Sequence, residues 1–277
     1  MNLVLLCKRH NHRKVLEILA ALRAQHLTVR GIVALERREA RPSFSEIVRK
    51  LYYRRQERNA QQMPASLPSF AANGRLHLAN PYTDDVPVVK SPRPSLQSNQ
   101  TYTSVDEYVR AHSIPLVAVP DLNGAECVAA LQKFQTDLVL LGGTPIIRAN
   151  VLAVPKVGTL NVHMAWLPGI RGMNVAEWSV YCNAPVAVTV HFVDAGVDTG
   201  AVLYREKIDV SACRSIAEMR QKLSTQQHLA LAHATRLFID RQIQPAAQTQ
   251  ASGKQYYIMH ERLRHIVEKK LQEGLHA

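Results

Sequence analysis

An asparagine and a histidine two residues apart, Asn161 and His163, stand at the end of a run that reads as a β-strand, Gly158 to Val162. Strand side chains alternate, so positions i and i+2 leave the same face. An amide beside an imidazole at the carboxyl end of a strand suits the open α/β crevice in which ligands gather. Pro168, Gly169 and Gly172 then break the chain into a loop able to wrap a substrate. Further on, His191 closes another strand, and Asp194 and Asp198 lie in a glycine-containing turn. Asp198 is expected to orient a water or accept a hydrogen bond near His163. A donor, a titratable ring and a carboxylate together can stabilise an oxyanion and shuttle protons in acyl transfer. No serine sits in a G-x-S-x-G elbow and no cysteine neighbours these histidines in sequence, so a covalent nucleophile is missing. Taken singly, Asn161 is a turn former, His163 a satisfied buried histidine, Asp198 an Asx-turn residue and His191 a structural strand residue. The joint pattern favours catalysis.

These residues need a sheet to hold them. Leu3 to Cys7 and Val29 to Leu35 are apolar runs separated by Leu16, Leu19, Ala20 and Leu22 at helical spacing, a βαβ opening with parallel strands. Regular alternation resumes at Ser104, with helices at 104–112 and 124–134 leading to strands Leu116 to Val119 and Asp137 to Leu141. After Gly158 to Val162 come a helix over 173–182, strand Val186 to Val193 and strand Ala201 to Ile208, the last pair spaced like a hairpin. Ser215 and Glu218 form a capping box that opens a long helix, and a helix over about 260–273 closes the chain. The fold class expected is α/β: a Rossmann-like, mostly parallel twisted sheet flanked by helices. Residues 1–208 are expected to form the catalytic domain and 209–277 a small, mainly helical extension. Within the first, about 36–103 reads as a basic, Pro/Ser-rich insertion with one short strand near Arg75 to Ala79.

Composition excludes several classes. The 277 residues carry 34 basic and 22 acidic side chains, a net charge of +12, with 47% apolar residues, which is globular and not disordered. Aromatics at 6% are too few for a base-stacking single-strand binder. Cys7, Cys127, Cys182 and Cys213 form no C-x-x-C pair, which argues against a zinc ribbon and for free thiols. His10 and His12 have no carboxylate or cysteine cluster beside them, so no metal is expected. No membrane span or signal peptide is read, and a cytoplasmic location is expected. Residues 1–60 hold fourteen Lys/Arg against five Glu, either a solvated face or a field for a phosphorylated or nucleotide-linked substrate. No nucleic-acid motif accompanies that charge, and no G-x-G-x-x-G follows the first strand as a nicotinamide fingerprint requires.

Asn161-Val162-His163, followed by Leu167-Pro168-Gly169-Ile170-Arg171-Gly172, Thr189-Val190-His191 and Asp198-Thr199-Gly200, resembles the folate-dependent formyltransferase family. That family includes glycinamide ribonucleotide, methionyl-tRNA, amino-sugar and hydroxyornithine formyltransferases. The likeness covers about residues 136–208 well and 1–35 only as a generic βαβ start. It implies direct attack of a substrate amine on the formyl carbon of 10-formyltetrahydrofolate. Asn161 and protonated His163 would stabilise the oxyanion, Asp198 would hold His163 and help proton transfer, and His191 would support them. The resemblance places the pterin against Leu141, Gly142, Gly143, Ile146, Ile147, Val193 and Asp194. It leaves Arg171 and Gly172, with Lys8 and Arg9 after the first strand, for the acceptor.

Departures from the relatives narrow the acceptor. The stretch CKRHNHRK lacks the glycine-rich phosphate loop of the glycinamide ribonucleotide enzymes. With 77 residues after Gly200 (277 − 200), the C-terminal barrel of the methionyl-tRNA enzymes is not expected, and with the first strand opening the sequence, donor hydrolysis of the deformylase kind is not expected either. The expectation is a small-molecule N-formyltransferase acting on a nucleotide-linked amino sugar, with N-hydroxyornithine or methionyl-tRNA as alternative acceptors. A non-catalytic binding module is the rival of another class. A homodimer is compatible with the sequence; a membrane partner is not expected and nucleic acid is disfavoured.

Overall fold

The computed structural model describes residues 1–36, 102–248 and 253–275. The basic, Pro/Ser-rich stretch and the short strand expected near Arg75 to Ala79 lie outside them. In chain order the elements are β1 (Leu3–Lys8), α1 (His12–Ala24), β2 (Val29–Leu35), α2 (Val105–Ala111), β3 (Leu116–Val119), α3 (Ala125–Lys133), β4 (Leu138–Gly142) and α4 (Ala149–Leu152). Then follow β5 (Gly158–His163), β6 (Ile170–Gly172), α5 (Val175–Tyr181), β7 (Ala187–Phe192), β8 (Val202–Lys207), α6 (Ile216–Ile239), β9 (Lys254–Tyr256) and α7 (Glu261–Glu273).

Seven strands form one sheet in the order β3-β2-β1-β4-β5-β7-β8. The strands are parallel from β3 to β5, and both β5–β7 and β7–β8 are antiparallel. The continuous apolar runs resolve into two faces. Leu3, Leu5 and Cys7 of β1 and Leu138 and Leu140 of β4 join the core under α1, α2 and α6, while Val4, Leu6, Val139 and Leu141 join the core under α3 and α4. A strand buried on both sides has no polar face, so these runs lack the alternation of a half-exposed strand. Burial drives the Cys7 thiol up to about 12, and burial, with Asp121 second, drives that of Cys127 up to about 11. These two are packing residues, not nucleophiles.

The strand order reverses between β1 and β4, and Lys8 and Gly142 mark their carboxyl ends. That reversal opens the crevice of a doubly wound sheet. The long helix α6 starts where the sequence places it, with Ser215 Oγ accepting the Glu218 N–H at 3.2 Å. Outside the main sheet, β6 and β9 form a parallel pair with Ile170 opposite Lys254 and Gly172 opposite Tyr256. The sequence reading has only a loop at β6, because three residues are too few for a periodic signal. Among the described residues no helix is long and apolar enough to cross a membrane.

Candidate active site

The antiparallel register of β5 and β7 sets Asn161 opposite His191 and His163 opposite Thr189. Asn161 and His163 share a face of β5, and His191 joins them from the neighbouring strand. The His191 Nδ1–H donates to the Phe192 carbonyl at 2.7 Å. Its Nε2 is then a lone pair, which takes one N–H of the Asn161 amide at 3.4 Å. An amide nitrogen has two hydrogens, so the second is left for a ligand.

Asp198 comes in from the turn before β8. One carboxylate oxygen lies 3.5 Å from His163 Nδ1 and the other 3.6 Å from His191 Nε2. The His163 Nε2–H donates to the Ile170 carbonyl at 2.9 Å. A neutral His163 therefore has its lone pair at Nδ1, and a proton gained or released there faces Asp198. His191 is buried, and burial first, then the His163 charge, lowers its pKa to about 4 against a partial offset from Asp198. At neutral pH it is an uncharged prop. Both rings are nearly sealed, with His163 at 6% and His191 at 2% exposure, so charge at this site is little screened.

The strand β6 grips this pair from one side. Ile170 supplies the carbonyl for His163, and the Gly172 N–H donates to the Asp198 carboxylate at 3.0 Å. Gly172 has φ +101°, and a Cβ there would run into the Tyr256 carbonyl of β9. Gly172→Ala is expected to lose on the order of 2 kcal/mol of stability and to lower turnover, since the clash displaces the amide that holds Asp198. Urea melts beside steady-state rates check this, and an unchanged melt rejects it.

The other sequence candidates divide. Leu141 and Ile147 are buried in one apolar cluster, with Val193 packed against it, so the segments after β4 and β7 do meet. Gly142 ends β4, Gly143 follows with φ +79°, and Ile146 stands 84% exposed on the same loop. Asp194 is spent inside its turn, with Oδ1 accepting from Gly196 N at 3.0 Å and Thr199 Oγ1 at 2.6 Å. Arg171 is buried and its guanidinium donates to the Gly253 carbonyl at 2.8 Å, tying β6 to the C-terminal segment. Lys8 closes β1 at the crevice. Arg9, expected beside an acceptor anion, instead pairs with Asp106 at 2.8 Å and Glu36 at 3.3 Å.

Two residues the sequence reading missed belong here. Lys14 of α1 sits so close to Gly143 that a Cβ there would lie 3.0 Å from its ammonium. Burial, then Lys8, lowers its pKa, with Glu17 opposing. Its spacing with Ile18 and Leu22 puts it on the inner side of α1, the signal that could have found it. Gln248, far along the chain, has no such signal and reaches the Asp198 turn.

Also on α1, Glu17 lies 3.0 Å from Nδ1 of the fully buried His228. Burial, then Lys14, lowers the pKa of His228 to about 4. The unfolded ring takes a proton below about 6.5 and the folded one only near 4, so the unfolded state binds more protons in between. Stability is therefore expected to fall as pH drops from about 6.5 to about 4. His191, whose pKa is lowered to about 4 in the same way, contributes to the same fall, so His228→Leu should reduce it by about half in urea melts at stepped pH, and an unchanged slope contradicts the assignment.

The formyl transferase family matches residues 87–235, more than half of the chain. A methionyl-tRNA formyltransferase of Flavobacterium psychrophilum is 26% identical over 123 residues, 44% of this chain and 39% of that protein. The chain thus matches well under two thirds of that relative's length. Among solved structures, a sugar N-formyltransferase from Shewanella sp FDAARGOS_354 superposes with TM-score 0.55 at 12% identity, covering 98% of this chain and 88% of its own. A phosphoribosylglycinamide formyltransferase from Bacillus halodurans superposes with TM-score 0.53 at 16% identity, covering 87% and 97%. At such identities the structures establish a shared fold.

Proposed function

This chain belongs to the formyl transferase family, and on that premise we propose that it moves a formyl group from 10-formyltetrahydrofolate to the amine of a nucleotide-linked amino sugar. The observation that carries the reading is the convergence of Asn161, His163 and Asp198 at the carboxyl end of β5, with His163 buried and Asn161 and Asp198 half-buried. The donor, when bound, supplies the formyl carbon. The pterin ring would lie against the segment that carries Leu141, Ile147 and Val193, which share one apolar cluster. Asn161 directs its remaining N–H at the formyl oxygen, where negative charge develops as the amine attacks. His163 holds a proton at Nδ1 and Asp198 stabilises that cation; as the bond between the formyl carbon and N10 of the donor breaks, the proton lost by the amine passes by way of Asp198 to that nitrogen, and tetrahydrofolate leaves. His191 keeps the Asn161 amide aimed. Closure of β6 over His163 excludes water.

An acceptor bearing negative charge is supported by Lys14 and Lys8 at the β1–β4 crevice. A second reading, with methionyl-tRNA as acceptor, is favoured by the sequence relative. One experiment separates them. Calorimetric titration with a stable 10-formyltetrahydrofolate analogue tests the donor, and turnover is then compared between nucleotide-linked amino sugars, N-hydroxyornithine and charged initiator tRNA. Micromolar binding with sugar turnover is expected. Folded protein that binds no folate rejects the reading and leaves a non-catalytic module; turnover on tRNA alone selects the second.

A further inference from the structure

Gln248 lies beyond α6, in a stretch joined to the sheet by Ala246, which exchanges two 2.8 Å backbone bonds with Val202 of β8. From there its side chain reaches back to the turn that carries Asp198. The amide nitrogen donates to the Asp198 carbonyl at 2.9 Å and to the Gly200 carbonyl at 2.6 Å. Both of its hydrogens are thereby used. Among the described residues its oxygen is buried without a donor. Turning the amide over would aim that oxygen at two carbonyls, so the orientation is dictated by the turn. Such a buried orphan acceptor is disfavoured unless something else depends on the contact.

What depends on it is the conformation of Asp198. That residue has φ 53°, in the left-handed region that non-glycine residues enter at a cost. Asp194 ties the front of the turn to Gly196 and Thr199, and Gln248 ties its back. The carboxylate stands 3.5 Å from His163 Nδ1, a contact that a small shift of the turn would abolish. We propose that Gln248 is a positioning residue for formyl transfer, holding the Asp198 turn so that its carboxylate stays between His163 and His191. The assignment rests on the catalytic reading given above. Gln248 touches no reacting atom and acts only through Asp198.

The test is a double-mutant cycle in the full chain, with Gln248→Leu, Asp198→Asn and their combination. Gln248→Leu is expected to lower kcat by about 10- to 100-fold with the donor KM changed less than about 3-fold, yet to cost less than about 3-fold more in the Asp198→Asn background. Equal losses in both backgrounds, or no loss in the single variant, would overturn the proposal. A second readout needs no activity. The Gly172 N–H, bonded to Asp198, should exchange at least about 10-fold faster in Gln248→Leu, while the amides of Leu5 and Leu140 stay protected. Unchanged exchange at Gly172 overturns the proposal equally. Should Gln248→Leu fail to fold, Gln248→Glu repeats the cycle, because it keeps the shape and removes the donors. If the parent transfers no formyl group, the catalytic reading fails, and the Gly172 amide still decides the positioning claim.

Discussion

Replacing Asp198 by Asn is expected to lower formyl transfer by about 10²- to 10⁴-fold while the fold survives. Asparagine is isosteric and tolerates the left-handed backbone at φ 53°. Its carbonyl can still accept the Gly172 N–H, so the tie to β6 persists. What is lost is the negative charge 3.5 Å from His163 Nδ1. His163 is buried and its other nitrogen is committed to the Ile170 carbonyl, so no solvent or alternative partner can stand in for the carboxylate. The proton at Nδ1 then has no carboxylate beside it to take part in its transfer. Steady-state rates beside a thermal melt decide the matter. A variant that melts like the parent and turns over within about 3-fold of it removes Asp198 from the mechanism.

Asn161→Ala is expected to cost about 10²- to 10³-fold in kcat with little change in the donor KM, the behaviour of a hydrogen bond that strengthens as the oxyanion forms. One amide N–H of Asn161 is taken by His191 Nε2, and the other is the donor in question. Loss of the first bond leaves the His191 lone pair without that donor, which should lower stability by about 1 kcal/mol. The kinetic loss is far larger than that, so the two effects separate when rates and melts are measured on one preparation. Asn161→Asp sharpens the test, since it preserves shape but adds a negative charge beside Asp198 and opposite the developing one. It should be at least as impaired as Asn161→Ala; equal or better turnover than the parent would exclude Asn161 as the oxyanion donor. Because Asn161 and Asp198 act on one reaction centre, the doubly substituted chain should lose less than the product of the two losses.

Much of this was legible before any coordinates. The apolar runs of β1, β2 and β4, the capping pair Ser215 and Glu218, and the glycines that end strands are local signals. Each states which face of its own element is buried or where that element stops. Asn161 and His163 share a face for the same reason, since the period of a strand is two. The chemistry proposed for the trio therefore starts from residue types and spacing, and the family match spans the segment that holds them.

Tertiary structure decided how separate elements meet. The register that sets Asn161 opposite His191 depends on how β5 and β7 pack, and periodicity within either strand leaves it undefined. Arg171 and Arg9 read alike in the sequence as basic residues near a site, yet one ties β6 to Gly253 and the other pairs with Asp106 and Glu36. Lys14 was hidden because a charged residue on a helix is read as solvated until the neighbouring strand end is in place. The strands β6 and β9 are three residues each, too short to carry a pattern, and their pairing is between segments far apart in the chain. Gln248 is the limiting case. A glutamine amid loop residues carries no local signature, and its role exists only because the chain returns to the sheet at Ala246 and brings two donors to the carbonyls of a strained turn. The sequence by itself determined the elements and supplied the groups proposed to react, because those follow from short-range periodicity and side-chain chemistry. The distances among the groups, and the supports that hold them, follow from long-range packing that no local pattern encodes.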